Sequence, residues 1–182
     1  MLPVELIAKL IQPVLELTII RQVRRNHALE HATIHMLNRQ HYTLSGRASA
    51  GGFVMYGNVP EEKVILAVEE ALTRLRRGES NLAMHPNCGT NLVTTGFLLT
   101  LIGAGGFVNT KPMRAWERFP LIMILMMITT LYSQPIGMSV QKHITTEGHP
   151  GDLELVTVTR TESKLPFRDK PIITHHIITR RG

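Results

Sequence analysis

Two apolar runs without a single charged residue set the strongest limit on how this chain can fold. LVTTGFLLTLIGAGGFV spans about Leu92 to Val108, and FPLIMILMMITTLYSQPIGM spans about Phe119 to Met138. Each approaches the roughly 20 apolar residues that a helix needs to cross the hydrocarbon core of a bilayer. The linking segment NTKPMRAWER has room only for a turn. Two buried core helices would carry the same pattern, but a chain of 182 residues leaves too little soluble protein to wrap both. The expectation is a transmembrane helical hairpin, with Trp116, Phe119 and Tyr132 as interfacial anchors. Gly96, Gly103, Gly105 and Gly106 would either let the two helices approach closely or break the first run into a re-entrant turn.

Charge placement points to lipid rather than to nucleic acid. A net charge of +6 would suit either. The basic residues, however, cluster beside apolar segments (Arg21, Arg24, Arg25; Arg74, Arg76, Arg77; Arg180, Arg181), as expected for contact with anionic head groups. Aromatic residues make up 5%, too few for base-stacking platforms. A hairpin puts both flanks on one side, and these hold most of the arginines, against Lys111, Arg114 and Arg118 in the turn; the positive-inside rule favours a cytoplasmic face. The first twenty or so residues alternate Glu5, Lys9, Gln12 and Glu16 with Val4, Ile7, Leu10, Ile11, Val14 and Leu17 at helical spacing. They read as an amphipathic helix, interrupted or kinked at Pro13, that lies in the membrane interface or packs on the hairpin rather than spanning.

Chemistry enters with His27-Ala28-Leu29-Glu30-His31, an H-x-x-E-H sequence inside a helical stretch. Residues four apart lie one turn above each other, so His27 and His31 can grip one metal ion while Glu30 stays near the same face. Two imidazoles and an adjacent carboxylate are what zinc hydrolases use to turn a bound water into a nucleophile. The second element is His85-Pro86-Asn87-Cys88-Gly89-Thr90-Asn91, just ahead of the first apolar run. Cys88 is the single cysteine, which rules out an intramolecular disulfide. Either His85 or Cys88 would serve as a further zinc ligand. The plainer alternative is a buried cysteine acting as a small hydrophobe, with His85 capping the next helix. Glu69, Glu70 and Glu79 are other candidate ligands. His35 continues the histidine stripe, and of His175 and His176 only one can face inward from a strand.

Elsewhere the periodicity predicts an α+β fold. The H-x-x-E-H helix ends near Asn38. Tyr42–Ser49 and Gly52–Tyr56 read as a hairpin around Ala50-Gly51. Pro60 opens a helix with Glu61 and Glu62 in its first turn and the stripe Val64, Ile65, Val68, Ala71, Leu72, Leu75. Leu153–Thr161 and Ile172–Thr179 read as strands joined by a polar turn at Pro166–Pro171. The expected organisation is an interfacial helix over 1–21, a metal-site α/β domain over 22–91, the transmembrane hairpin over 92–138 and a C-terminal β segment over 139–182.

HALEHATIH followed by HPNCGTN and two apolar segments resembles a family of uncharacterised bacterial membrane proteins known only by a domain of unknown function. The motif pair is similar to that of the YqhQ-like proteins, with their H-x-x-E-H-type helix and H-P-x-C-G-T-S-type loop. Over roughly residues 25 to 140, that resemblance implies a metal-dependent enzyme whose site is His27, Glu30, His31, His85 and Cys88. Asn91 stands where the YqhQ-like proteins have serine. More distantly, the H-x-x-E-H helix, the strand Gly51-Gly52-Phe53-Val54-Met55-Tyr56 and the helix opening Val59-Pro60-Glu61-Glu62 look like a miniature of the pitrilysin-type zinc peptidases. There the third ligand is a glutamate on a later helix, for which Glu69 or Glu70 is the nearest match.

The functional expectation is a multi-pass protein of the bacterial cytoplasmic membrane, its soluble parts cytoplasmic, holding one zinc ion. It would be a hydrolase, and most simply a peptidase acting on a peptide or membrane-protein substrate. His27 and His31 would bind zinc with His85 or Cys88, and Glu30 would act as general base. Two alternatives stay open: a closed structural zinc site using His27, His31, His85 and Cys88 together, and an accessory subunit of a membrane complex.

Overall fold

The computed structural model describes residues 3–108, 112–164 and 171–182. Its elements are α1 (Pro3–Leu10), α2 (Gln12–Leu15), α3 (Thr18–Asn38), β1 (Ser45–Ser49), β2 (Gly52–Tyr56), α4 (Glu61–Arg76), α5 (Gly89–Phe107), α6 (Pro112–Val140), β3 (Glu154–Ser163) and β4 (Ile172–Arg180). A 3-10 turn, Ser80–Ala83, precedes α5, and a π-helical turn, Gln141–Thr145, ends α6. The mixed α+β expectation is met. Lys111 and most of the turn expected at Pro166–Pro171 lie outside the described residues.

Alternation along the strands explains the layering. Phe53 and Met55 on β2, and His175 and Ile177 on β4, are buried, while Tyr56, His176 and Ile178 face outward. The buried face joins Leu29, Leu37, Val64, Val68 and Leu75 of α3 and α4 in one apolar core. The strands form one antiparallel sheet in the order β1-β2-β4-β3. Gly52 pairs with Ser49 across the hairpin at φ 139°. A side chain there would collide with the Ile177 carbonyl, so this crossing of β2 and β4 requires glycine.

Sequence reading left the 45–56 hairpin and the C-terminal strands as separate pieces, yet β4 inserts beside β2 and its residues share the core. Segments on either side of the α5–α6 pair are thereby joined into one body. α5 is one uninterrupted helix, not a re-entrant turn. It packs antiparallel on α6: Thr95 donates to Ser133 at 2.8 Å, and Gly103 and Gly106 lie against Met126 and Ile122. Gly96 and Gly105 face open space. Both helices are long and apolar enough to cross a membrane. Their outer faces, including Leu92, Leu101, Leu121, Ile124, Met127 and Leu131, are uncovered by the rest of the protein.

The basic clusters also make ion pairs and hydrogen bonds within the fold. Arg24 is buried, donates to the Thr146 carbonyl at 3.2 Å and lies 3.4 Å from Glu147. Arg25 reaches Asp152 at 3.6 Å, and Arg21 pairs with Glu16 at 3.6 Å. Arg76 donates to the Leu153 carbonyl at 2.8 Å, while Arg180 and Arg181 both hold Glu154. Arg24, Arg25, Arg76, Arg180 and Arg181 tie the start of α3, the end of α4 and the end of β4 to the segment after α6. Most of the partners are distant in sequence, so local charge clustering does not reveal them.

One buried amide locks α3 onto the sheet. Asn26 donates to the Ser49 and Ala50 carbonyls at 2.9 and 3.0 Å and accepts from the Thr179 hydroxyl at 2.7 Å. Asn26→Ala should destabilise the protein by roughly 1–3 kcal/mol, the cost of leaving such groups unpaired. Denaturant unfolding in detergent checks this, and a variant as stable as wild type would refute it.

Candidate metal centre

α3 carries His27 and His31 one turn apart, with ring centroids 4.4 Å from each other. Each ring is held by a backbone carbonyl from a different segment. His27 Nδ1 lies 3.0 Å from the Thr145 carbonyl in the π-helical turn, and His31 Nδ1 lies 2.7 Å from the Ala83 carbonyl in the 3-10 turn. A carbonyl only accepts, so Nδ1 of both rings donates, which leaves Nε2 as the nitrogen each ring could offer a metal. Metal-binding histidines are held this way, by a second hydrogen bond that fixes tautomer and ring orientation.

Cys88 meets them from the opposite segment. Its sulfur is 3.2 Å from His27 Nε2 and caps α5, accepting the Thr90 N–H at 3.4 Å. The ligand atoms of His27, His31 and Cys88 all lie within 4.8 Å of one another, and the group could hold a metal ion. Burial pushes the Cys88 thiol up, but hydrogen bonds from His27, His31 and Thr90 outweigh it and bring the pKa down to about 5. Burial likewise opposes charge on His27, yet the sulfur, the Thr145 carbonyl and Glu30 hold its pKa above the ordinary value. The centre favours a thiolate, the form that binds metal.

Glu30 lies on the same helix face and is 4% exposed. Among the described residues no hydrogen-bond donor reaches its carboxylate. Burial raises its pKa to about 7, against the opposing pull of His27. A Cβ at Gly46 of β1 would come within 2.5 Å of Glu30 Oε1, so any larger residue there would make the carboxylate shift. A cavity of about 570 Å³ opens here, lined by His27, Glu30 and His31 from α3, by Ser45–Ala48 from β1, and by His85 and Cys88 from the loop.

The other sequence candidates fall elsewhere. His85 lines the cavity but lies outside the trio, its ring centroid 5.8 Å from that of His31 and its Nδ1 accepting the Asn87 N–H. Burial, reinforced by His31 and His35, lowers its pKa to about 4. His35 Nε2 lies 2.8 Å from the Met84 carbonyl. Glu69, Glu70 and Glu79 line a separate hollow with Arg74, which pairs with the last two. His175 faces Gly57 under the sheet.

Sequence reasoning missed the residues that hold the loop in place. Gln141 is wholly buried; its oxygen accepts the His85 N–H at 3.0 Å, and its nitrogen donates to the His85 carbonyl at 3.0 Å and Asn91 Oδ1 at 2.7 Å. Asn91 in turn donates to the Pro86 carbonyl at 2.6 Å. The one available signal was a glutamine placed just after a long apolar run.

Residues 22–158 match the model of a family described as a domain of unknown function, DUF6391. An uncharacterised protein from Picosynechococcus sp. is 38% identical over 140 residues, covering 68% of this chain and 65% of that protein. The chain thus spans just under two thirds of that relative's length. No solved structure matches. The family segment takes in the H-x-x-E-H helix, the His85–Asn91 loop, both apolar helices and the π-helical turn, and the chain belongs to the DUF6391 family.

Proposed function

We propose that the protein is a membrane-embedded, metal-dependent hydrolase, with zinc as its metal and a peptide bond as the bond it cuts. The observation carrying this reading is the trio His27, His31 and Cys88 beside an unbonded, buried Glu30 at the wall of an open cavity. Two imidazoles and a thiolate suit zinc, and three protein ligands would match the pattern of catalytic rather than structural zinc sites. A zinc ion held by His27, His31 and Cys88 would supply Lewis-acid activation of a water. Glu30, with a pKa of about 7, is matched to exchange a proton at neutral pH. It takes the water's proton as the oxygen bonds to the carbonyl carbon. It then passes that proton to the leaving nitrogen as the C–N bond breaks.

A closed structural site fits less well, because His85 stands outside the trio and Glu30 would have no task. One other chemistry has an observation behind it. The Cys88 thiol, near pKa 5 and 3.2 Å from His27 Nε2, resembles an activated nucleophile that would need no metal. Metal dependence separates the two.

The membrane setting rests on the uncovered apolar faces of α5 and α6. The exposed Leu6, Leu10, Val14 and Leu17 of the N-terminal helices would lie along the interface. The arginine-rich flanks would face the cytoplasm. The trio, with Cys88 capping the start of α5, would then sit at the membrane surface.

Purified protein should carry about one zinc per chain, with two nitrogen and one sulfur protein ligands by X-ray absorption. His27→Ala and Cys88→Ser should lose the metal while His85→Ala keeps it; metal retained by Cys88→Ser would break the trio. Glu30→Gln should keep zinc and melting temperature, yet reduce hydrolysis of unstructured peptides by roughly 10²- to 10⁴-fold. Full activity in that variant, or activity that survives chelation but not alkylation of Cys88, would overturn the metal mechanism. Reporters fused after Val108 and after Gly182 should mark opposite sides of the membrane, and matching signals would refute the hairpin topology.

A further inference from the structure

β1 is an edge strand, and its backbone parity can be worked out from its neighbours. Thr179 N–H donates to the Gly51 carbonyl and Gly57 N–H to the Ile173 carbonyl, so odd-numbered residues of β2 serve β4. Gly52, Val54 and Tyr56 therefore serve β1, bonding their partners Ser49, Arg47 and Ser45. Gly46 and Ala48 are left with N–H and C=O groups pointing away from the sheet. Among the described residues nothing bonds them. Both are half-buried, and both line the cavity that holds Glu30 and the trio.

The opposite edge of the sheet is treated differently. β3 carries a bulge between Leu155 and Thr157, and its outward Arg160 N–H is taken by Glu61 at 2.6 Å. Bulges and capped donors are how proteins close an edge to pairing. β1 has neither bulge nor proline, and Gly46 brings it against Glu30. The open edge runs past the chemistry, and the closed edge does not.

We propose that the cavity receives a peptide in extended form, which adds to the sheet as a strand by pairing with the outward groups of Gly46 and Ala48. Strand addition draws affinity from main-chain hydrogen bonds and specificity from alternate side chains. Here those side chains would meet Val23, Ile34 and Leu44, so apolar residues at alternate positions are preferred. A strand at the usual spacing of about 4.8 Å from β1 carries its amides beside Glu30. This inference rests on the hydrolase reading for its consequence, but its test does not.

The full-length, zinc-loaded Glu30→Gln protein in detergent is titrated with fluorescein-labelled unstructured octapeptides rich in Val and Leu, read by anisotropy. The tightest binder is then remade with single N-methylated backbone amides. Methylation should weaken binding about tenfold at alternate amides and leave the intervening ones unaffected, because every second amide points away from the edge. Ala48→Pro, introduced into Glu30→Gln, removes an outward donor without touching a sheet bond. It should weaken binding about tenfold with zinc content and melting temperature unchanged. Absence of peptide binding, a scan without two-residue alternation, or an Ala48→Pro variant that binds normally would overturn the proposal. Alternating binding without cleavage by wild type would keep strand pairing and refute the hydrolase reading; cleavage without alternation would do the reverse.

Discussion

The side-chain amide of Gln141 sits where three parts of the protein meet, and their relative positions depend on it. Its oxygen and nitrogen grip both backbone groups of His85, and the nitrogen also reaches Asn91. A buried amide left unpaired costs about 1–3 kcal/mol per group, so the loop, the start of α5 and the end of α6 are held in one geometry. The π-helical turn follows directly, and the Thr145 carbonyl at its end orients His27. Such turns are rare and concentrate at functional sites. Here the turn connects the end of an apolar helix to the ligand set.

Two opposing demands meet at this junction. The outer faces of α5 and α6 are apolar and uncovered, whereas the trio, Glu30 and the outward groups of β1 are polar. Placing Cys88 at the helix cap puts the thiolate beside the Thr90 N–H and at the positive end of α5. Burial alone would raise both the thiol and Glu30, yet only Glu30 ends high. The difference is donors: the sulfur has His27, His31 and Thr90, while among the described residues no donor reaches the carboxylate. Cys88 and the neighbouring Glu30 thus have pKa values set apart.

Much of the fold was legible in local pattern. The end of α3 at Asn38, the Ala50-Gly51 hairpin, α4 opening after Pro60, and α5 and α6 all follow from periodicity, turn residues and the absence of charge. His27, Glu30, His31 and Cys88 were legible because their chemistry and helical spacing are visible in the chain. The roles of the arginine clusters were not, since most of their partners are contributed by the segment from Glu147 to Glu154. Nor could spacing choose between His85 and Cys88, three residues apart on a bent loop.

The sequence by itself determined the elements, the apolar hairpin and the residues able to ligate a metal, because each depends on neighbours within a turn or a strand. Only the tertiary structure decided that β4 enters beside β2, that Gln141 clamps the loop, and that Cys88 rather than His85 joins the histidines. It also decided that the edge of β1 lies open beside Glu30. Those outcomes rest on hydrogen bonds between residues 50 to 153 positions apart, whose partners leave no periodic trace in the chain.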